Sequence, residues 1–394
     1  MFEGRRARNS VASLIVARIV YAINWLNVGA IFYLMAPDLH SGLSGLGILS
    51  ASFYLGVGLV QVPGGILAAR WGPKKVVVAG IMLSSFSTLL IAVAASLWEV
   101  TVLRFLVGAG MAFVFAPAVV LVARLMTSRT TGTGVGLFNS AFNVGGLLAL
   151  FGWIVIATAT GWRPSLALSG TMGVATGLLV MKVTPDDEGS GGFRPDVRVL
   201  FKVLADRRLI FLGLGTLGIS VGNIMVSSFM VYYLVHEQGL AGSLAGLIAS
   251  MVVVVPIAGA IWGGRLYDRT RRPRRFMLVS DLGMSGALLI LAVAPGVVTA
   301  IACSVAGGIV SGVGFTTSFA AAKDLNRATE EYDGLAVAWV NCVSLSGSFW
   351  PPVLFSYLVG ASGYPVAWLG SALICLSMAV PVLLLKEGVP SKAA

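Results

Sequence analysis

The chain has 394 residues, of which 57% are hydrophobic and 11% charged, against about 25% charged in an ordinary soluble domain. So few ionised groups cannot cover a water-soluble globule of this size, and a mean hydropathy of +0.92 over the whole length makes lipid the solvent for most of its surface. The formal net charge of +11 would suggest nucleic acid in a soluble protein, but the basic residues fall at the ends of apolar runs, so soluble enzyme, DNA-binding protein and disulfide scaffold are all set aside.

At the N-terminus, Arg5, Arg6 and Arg8 look like the basic start of a secretory leader. The apolar run after them is too long for one and lacks a clear small-residue cleavage site, so a retained first span is expected. Runs of about 20 apolar residues, the length a bilayer core requires, fall at 12–35, 46–69, 75–95, 98–123, 134–158 and 165–183. Six more fall at 208–235, 244–264, 276–294, 297–321, 334–360 and 365–385. They are continuously apolar rather than alternating, which selects helices over a β-barrel. The expected fold is an all-α polytopic membrane protein, with twelve transmembrane helices in two pseudo-symmetric six-helix bundles.

The longest polar stretch, around Pro185, Asp186, Asp187, Glu188 and Gly189, divides the chain into an N-terminal bundle (1–183), a cytoplasmic linker (184–207) and a C-terminal bundle (208–394). Within the linker, Val197 to Ala205 is expected to form a short amphipathic helix on the membrane surface. The halves read as copies at an offset of about 200 residues, as in duplicated transporters. Ile31-Phe-Tyr-Leu34 aligns with Val231-Tyr-Tyr-Leu234, Gly64-Gly65 with Gly263-Gly264, Arg70 with Arg269, Gly132 with Gly334, Asn139 with Asn341, and Gly145 with Gly347.

Placing both termini in the cytoplasm puts all 27 Lys and Arg on that side except Arg18 and Arg104, within spans, and Arg163, outside; this is the positive-inside pattern of a cytoplasmic membrane protein. The loop Arg265 to Arg275 is then a topology signal at the lipid surface rather than a nucleic-acid site. Cys303, Cys342 and Cys375 lie within apolar runs and read as small buried hydrophobes. No metal-ligand spacing, HExxH, P-loop or Ser/His/Asp set occurs, so neither a metal, a cofactor nor an enzymatic activity is expected.

The motifs at the helix ends resemble the major facilitator superfamily of secondary transporters. Gly65-Ile-Leu-Ala-Ala-Arg70-Trp-Gly72-Pro-Lys74-Lys75 is similar to that family's loop pattern G-x-x-x-D-R-x-G-R-K, with Ala69 at the acidic position. The second copy, Gly264-Arg265-Leu-Tyr-Asp268-Arg269, keeps the acid, and Arg104 with Gly108 and Gly110 resembles the family's R-x-x-x-G-x-G. The resemblance implies alternating access by a working monomer that carries a small-molecule substrate. It also implies gating charges: Asp268 and Arg269 in one half, and Arg70, Lys74 and Lys75 in the other.

Polar residues inside spans are expensive in hydrocarbon and mark candidate substrate contacts. These are Tyr21, Asn24 and Trp25 on helix 1, Arg104 on helix 4, Asn139 and Asn143 on helix 5, Asn223 and Tyr232 on helix 7, and Asn341 on helix 11. Arg18, Tyr21 and Trp25 share one helical face, and Arg18 is expected to snorkel or to meet a helix end. Arg104 falls about 10 Å below the outer surface, counted at 1.5 Å per residue from Leu97. Its fork would suit a small organic or inorganic anion; the competing expectation, slightly favoured, is a structural hub that hydrogen-bonds helix ends. Asp281 is the one carboxylate well inside a span, on a helix that is peripheral in the family resembled.

The stretch Asn139-Ser-Ala-Phe-Asn143-Val-Gly145-Gly146 is similar to nitrate and nitrite porters. Those porters also place an Arg on helix 2 or helix 8, where this chain offers Gln61 and no basic residue, which argues against nitrate. Alternatives are a receptor or sensor that binds solute without moving it, and transport of a neutral or amphipathic solute.

Overall fold

A computed structural model describes residues 5–126, 131–186, 197–326 and 332–385. Twelve helices are long and apolar enough to cross a bilayer. The first six are α1 (Ala7–Met35), α2 (Leu43–Trp71), α3 (Pro73–Ile91), α4 (Leu97–Leu125), α5 (Thr133–Thr160) and α6 (Trp162–Val183). The other six are α7 (Arg207–His236), α8 (Gly242–Thr270), α9 (Pro273–Val293), α10 (Val297–Leu325), α11 (Asp333–Ser362) and α12 (Tyr364–Leu383). A helix spans Val197–Leu204, within the stretch Val197 to Ala205 where a short amphipathic one was expected. The linker's central part, with Asp187 and Glu188, and the basic residues Arg129, Arg327, Lys386 and Lys392 lie outside the described residues.

The chain forms two compact units, one of Met1–Phe193 with Leu240–Leu247, the other of Arg194–Gly239 with Ile248–Ala394. In each, local sequence sets where helices start and bend. Ser96 accepts from the Glu99 amide while Glu99 accepts from the Ser96 amide, a capping box that starts α4. Pro117 cannot donate to Phe113 one turn back and its ring crowds that carbonyl, so α4 breaks between Ala112 and Phe115. Pro256 breaks α8 after Val254 in the same way. α5 loosens into a π-turn at Leu148–Gly152, and α11 breaks at Gly347 ahead of Pro351 and Pro352.

The repeat recurs in backbone geometry. The corner from α5 to α6 turns on Gly161 at φ 89°, and that from α11 to α12 on Gly363 at φ 84°, a region that disfavours any residue with a Cβ. Within the first unit, α2 and α4 touch main chain to main chain: a Cβ on Gly56 would strike the carbonyl oxygen of Phe105, and one on Gly108 that of Phe53. Gly259 against Ile309 and Gly312 against Pro256 make the same crossing between α8 and α10. Small residues let membrane helices approach this closely, and packing is then the main attraction between them.

Candidate functional site

Helix α1 brings Arg18, Asn24 and Asn27 into the interior of the first unit. Asn24 lies at 2% exposure, its Nδ2 donating to the Val20 carbonyl at 3.2 Å and its Oδ1 accepting from Ser169 Oγ at 2.6 Å. Asn27 Nδ2 in turn donates to Ser169 Oγ at 2.9 Å, so both asparagines tie α1 to α6. Arg104, also buried, reaches across from α4: Nη1 donates to the Asn24 carbonyl at 3.2 Å, Nη2 to that of Trp25 at 3.4 Å, and Cζ stands 4.3 Å above the Phe53 ring. Its fork is thus engaged by backbone, which makes it a brace between helices. Trp25 completes this layer, donating from Nε1 to the Tyr54 hydroxyl at 3.3 Å.

One helical turn and more toward the N-terminus, Arg18 is only 7% exposed and neither snorkels nor caps a helix end. Aromatic faces surround its Cζ: Tyr21 at 4.5 Å, Phe115 at 4.7 Å, Phe142 at 4.7 Å and Phe138 at 5.3 Å. Nε and Nη1 of the guanidinium are buried with no partner. Each well-placed face stabilises a desolvated cation by roughly 2 kcal/mol, so the cage holds the charge without supplying its hydrogen bonds. The Tyr21 and Trp25 rings, 5.5 Å apart, link the cage to the Arg104 layer. A guanidinium with two free donors inside aromatic walls is suited to a carboxylate or another small oxyanion.

The other candidates in the first unit flank this cage. Asn139 and Asn143 each follow a cage residue, Phe138 and Phe142; Asn139 is exposed and Asn143 half-buried. In the second unit the candidates are dispersed. Asn223 Nδ2 donates to the Val252 carbonyl at 3.3 Å, tying α7 to α8. Tyr232 stacks on His236 with ring centroids 4.1 Å apart, and Asn341 is half-buried on α11. Ser220 and Ser344, whose hydroxyls lie 2.7 Å apart, join α7 to α11. Asp281 is fully buried on α9, so that position is interior to the bundle.

At the basic helix ends, Lys74 is buried and forms an ion pair of 2.8 Å with Asp186 at the start of the linker, whereas Arg70 and Lys75 are exposed. In the second unit the charges converge on Asp324 of α10, whose Oδ2 accepts from the Tyr267 hydroxyl at 2.8 Å and from Arg271 Nη1 at 2.7 Å. The Asp324 hydrogen bond and charge hold the Arg271 guanidinium above its ordinary pKa. Asp268 is exposed and only 4.0 Å from Arg271, and Arg269 is exposed. Sequence reasoning placed the motif but missed Asp324, which lies outside it. It also named Arg18 and underrated it, although the Arg18 and Tyr21 spacing was a usable signal.

The sequence profile of the Major Facilitator Superfamily matches residues 14–221 and 212–394. The nitrite extrusion protein of Bacillus subtilis (strain 168) is 24% identical over 362 residues, spanning 91% of this chain and 89% of that protein. The membrane sensor protein UhpC of Salmonella typhimurium (strain LT2) is 24% identical over 399 residues, spanning 90% and 86%. Among solved structures, a bacterial homolog of the human lysosomal transporter Spinster, inward-facing and unoccupied, superposes with a TM-score of 0.78 at 14% identity over 97% of both chains; that likeness concerns the fold alone. Twelve apolar helices, the repeated glycine crossings and a profile match over nearly the whole length have one reading: this multi-pass membrane protein belongs to the Major Facilitator Superfamily, a family of transporters rather than enzymes.

Proposed function

We propose that this chain moves a small organic or inorganic anion across the cytoplasmic membrane by alternating access, the bundles 1–183 and 208–394 rocking about the linker with both termini in the cytoplasm. The observation that carries this reading is Arg18: a buried cation whose Nε and Nη1 have no protein partner is costly unless an oxyanion arrives to accept from it. Tyr21 and Trp25 would form the wall of that site, with Asn139 and Asn143 as further polar contacts. Arg104, whose two terminal nitrogens are engaged by α1 while Nε has no partner, positions the helix on which the site is built. The nitrite extrusion relative supports an anionic cargo.

A second reading has a specific observation in its favour: one full-length relative is a membrane sensor, which fits a protein that binds an anion without moving it. One experiment separates the two. Purified chain in proteoliposomes is assayed for counterflow of nitrite, nitrate, acetate, succinate and phosphate, with glucose as the neutral control, alongside thermal stabilisation by each. Saturable counterflow of an anion, lost in Arg18→Gln, is the expected result. Stabilisation without flux selects the sensor, and stabilisation or flux with glucose alone overturns the anionic site.

A further inference from the structure

Asp281 stands apart from everything the proposed anion site uses. It lies midway along α9 at 0% exposure, and both carboxyl oxygens are buried with no hydrogen-bond partner. The space it occupies is made by missing side chains on α7: a Cβ on Gly218 would stand 2.6 Å from Oδ1, and one on Gly215 3.5 Å from Oδ2. On the α12 side, Cys375 Sγ donates to the Gly218 carbonyl at 3.1 Å, so the nearest thiol is already engaged. The titratable groups around the carboxyl are that thiol and, beyond it, Cys303 on α10; α7 presents glycine, and no described cation forms an ion pair with it.

A carboxylate sealed among three helices with neither counter-charge nor donor is far more expensive than the neutral acid. Nothing about packing calls for an acid here, since an apolar residue would fill the same glycine-lined space at lower cost. We propose that Asp281 is a proton-binding site of the C-terminal bundle, occupied while α7, α9 and α12 are closed around it and emptied when they part. In the step itself, hydronium at one membrane face gives a proton to a carboxylate oxygen: one O–H bond of the hydronium breaks as the O–H bond of the acid forms, and water is left behind. Reopening toward the other face breaks the acid's O–H bond and passes the proton to a water there, which becomes hydronium. The charged form requires water against Gly215 and Gly218, so deprotonation and separation of α7 from α9 are one event. Asn223 follows Gly218 on α7 by about 7.5 Å at 1.5 Å per residue, so this event displaces the helix that bears a candidate cargo contact. The use of the proton to drive accumulation rests on the transport reading; the proton site does not.

Two measurements on the full chain in lipid vesicles test it. Infrared difference spectra of protein with isotope-labelled aspartate, titrated from mildly acidic to strongly alkaline pH, should show a protonated carboxyl band at neutral pH that converts reversibly to carboxylate. The band should be missing in Asp281→Asn, which keeps the shape. Identical spectra for wild type and variant, or a band that never titrates, overturn the proposal. Accumulation of nitrite or succinate driven by an imposed pH gradient should be lost in Asp281→Asn while counterflow of the same probe is retained; undiminished accumulation overturns the coupling role. If the wild type exchanges none of these probes, it is the anion-transport reading that fails, and the infrared titration alone decides the proton site.

Discussion

Arg104 donates to the main-chain oxygen of Asn24, from the first third of α4 to the middle of α1, at 3.2 Å. Arg18, two turns earlier on α1, is as deeply buried yet has two nitrogens without partners. The two cations therefore answer differently to mutation. Replacing Arg104 by Met should cost about 2–3 kcal/mol, since charge-assisted hydrogen bonds to buried carbonyls are lost and those acceptors are left with less. Replacing Arg18 by Met should leave the unfolding temperature unchanged or raise it, because an underpartnered charge is removed from an apolar cage. Thermal unfolding of both variants in detergent checks the contrast, which is reversed if Arg18 is the brace.

Ser169 bridges the two asparagines of α1. Its conversion to Ala should destabilise by about 1–3 kcal/mol, the cost of leaving buried amide groups unsatisfied. Unfolding in detergent reads this loss, and a matched substitution at the exposed Thr171 should show almost none.

A methyl group at Gly108 would press on the Phe53 carbonyl, and one at Gly312 on that of Pro256. Neither obstacle is the flexible end of a side chain, so Gly108→Ala and Gly312→Ala should each cost about 1–3 kcal/mol as helices are forced apart. Gly136, with open space around it, is the control, and its alanine variant should be neutral or better. Equal melting temperatures for all three would refute the account of the crossings.

Asp324, with Tyr267 and Arg271 both on one oxygen, should matter more to the basic end of the second unit than Asp268. Asp324→Ala is expected to cost about 1–3 kcal/mol, and Asp268→Asn about 0–0.5 kcal/mol, as for exposed ion pairs. Cysteine labelling at the exposed Arg269 position should speed up in the first variant alone. Similar rates in both would move the latch back to the sequence motif.

The spans were legible in the sequence because bilayer thickness imposes a length that composition reveals directly; even the short helix Val197–Leu204 followed from its two-sided pattern. The cage around Arg18 was only half legible. Arg18 and Tyr21 share a helix, and their spacing declares them neighbours. Phe115, Phe138 and Phe142 come from α4 and α5, and no periodicity within one helix shows which apolar face another helix will meet. For the same reason the sequence allowed Arg104 to be either a brace between helices or a fork for an anion without naming its partners: the carbonyls it binds are present at every residue and leave no mark in a sequence. Asp324 escaped because it joins the charged cluster from α10, outside the motif that drew attention to Asp268 and Arg269.

Where α2 crosses α4 and α8 crosses α10, backbone rests on backbone with no side chain between to bend or repack. Each such pair behaves as a welded strut, so displacement during a working cycle has to be borne by the remaining helices. If the proposed anion site holds, breeding a new cargo preference into this scaffold is a task for the walls contributed by α1 and α5, while the four glycines of the welds leave an engineer almost no latitude.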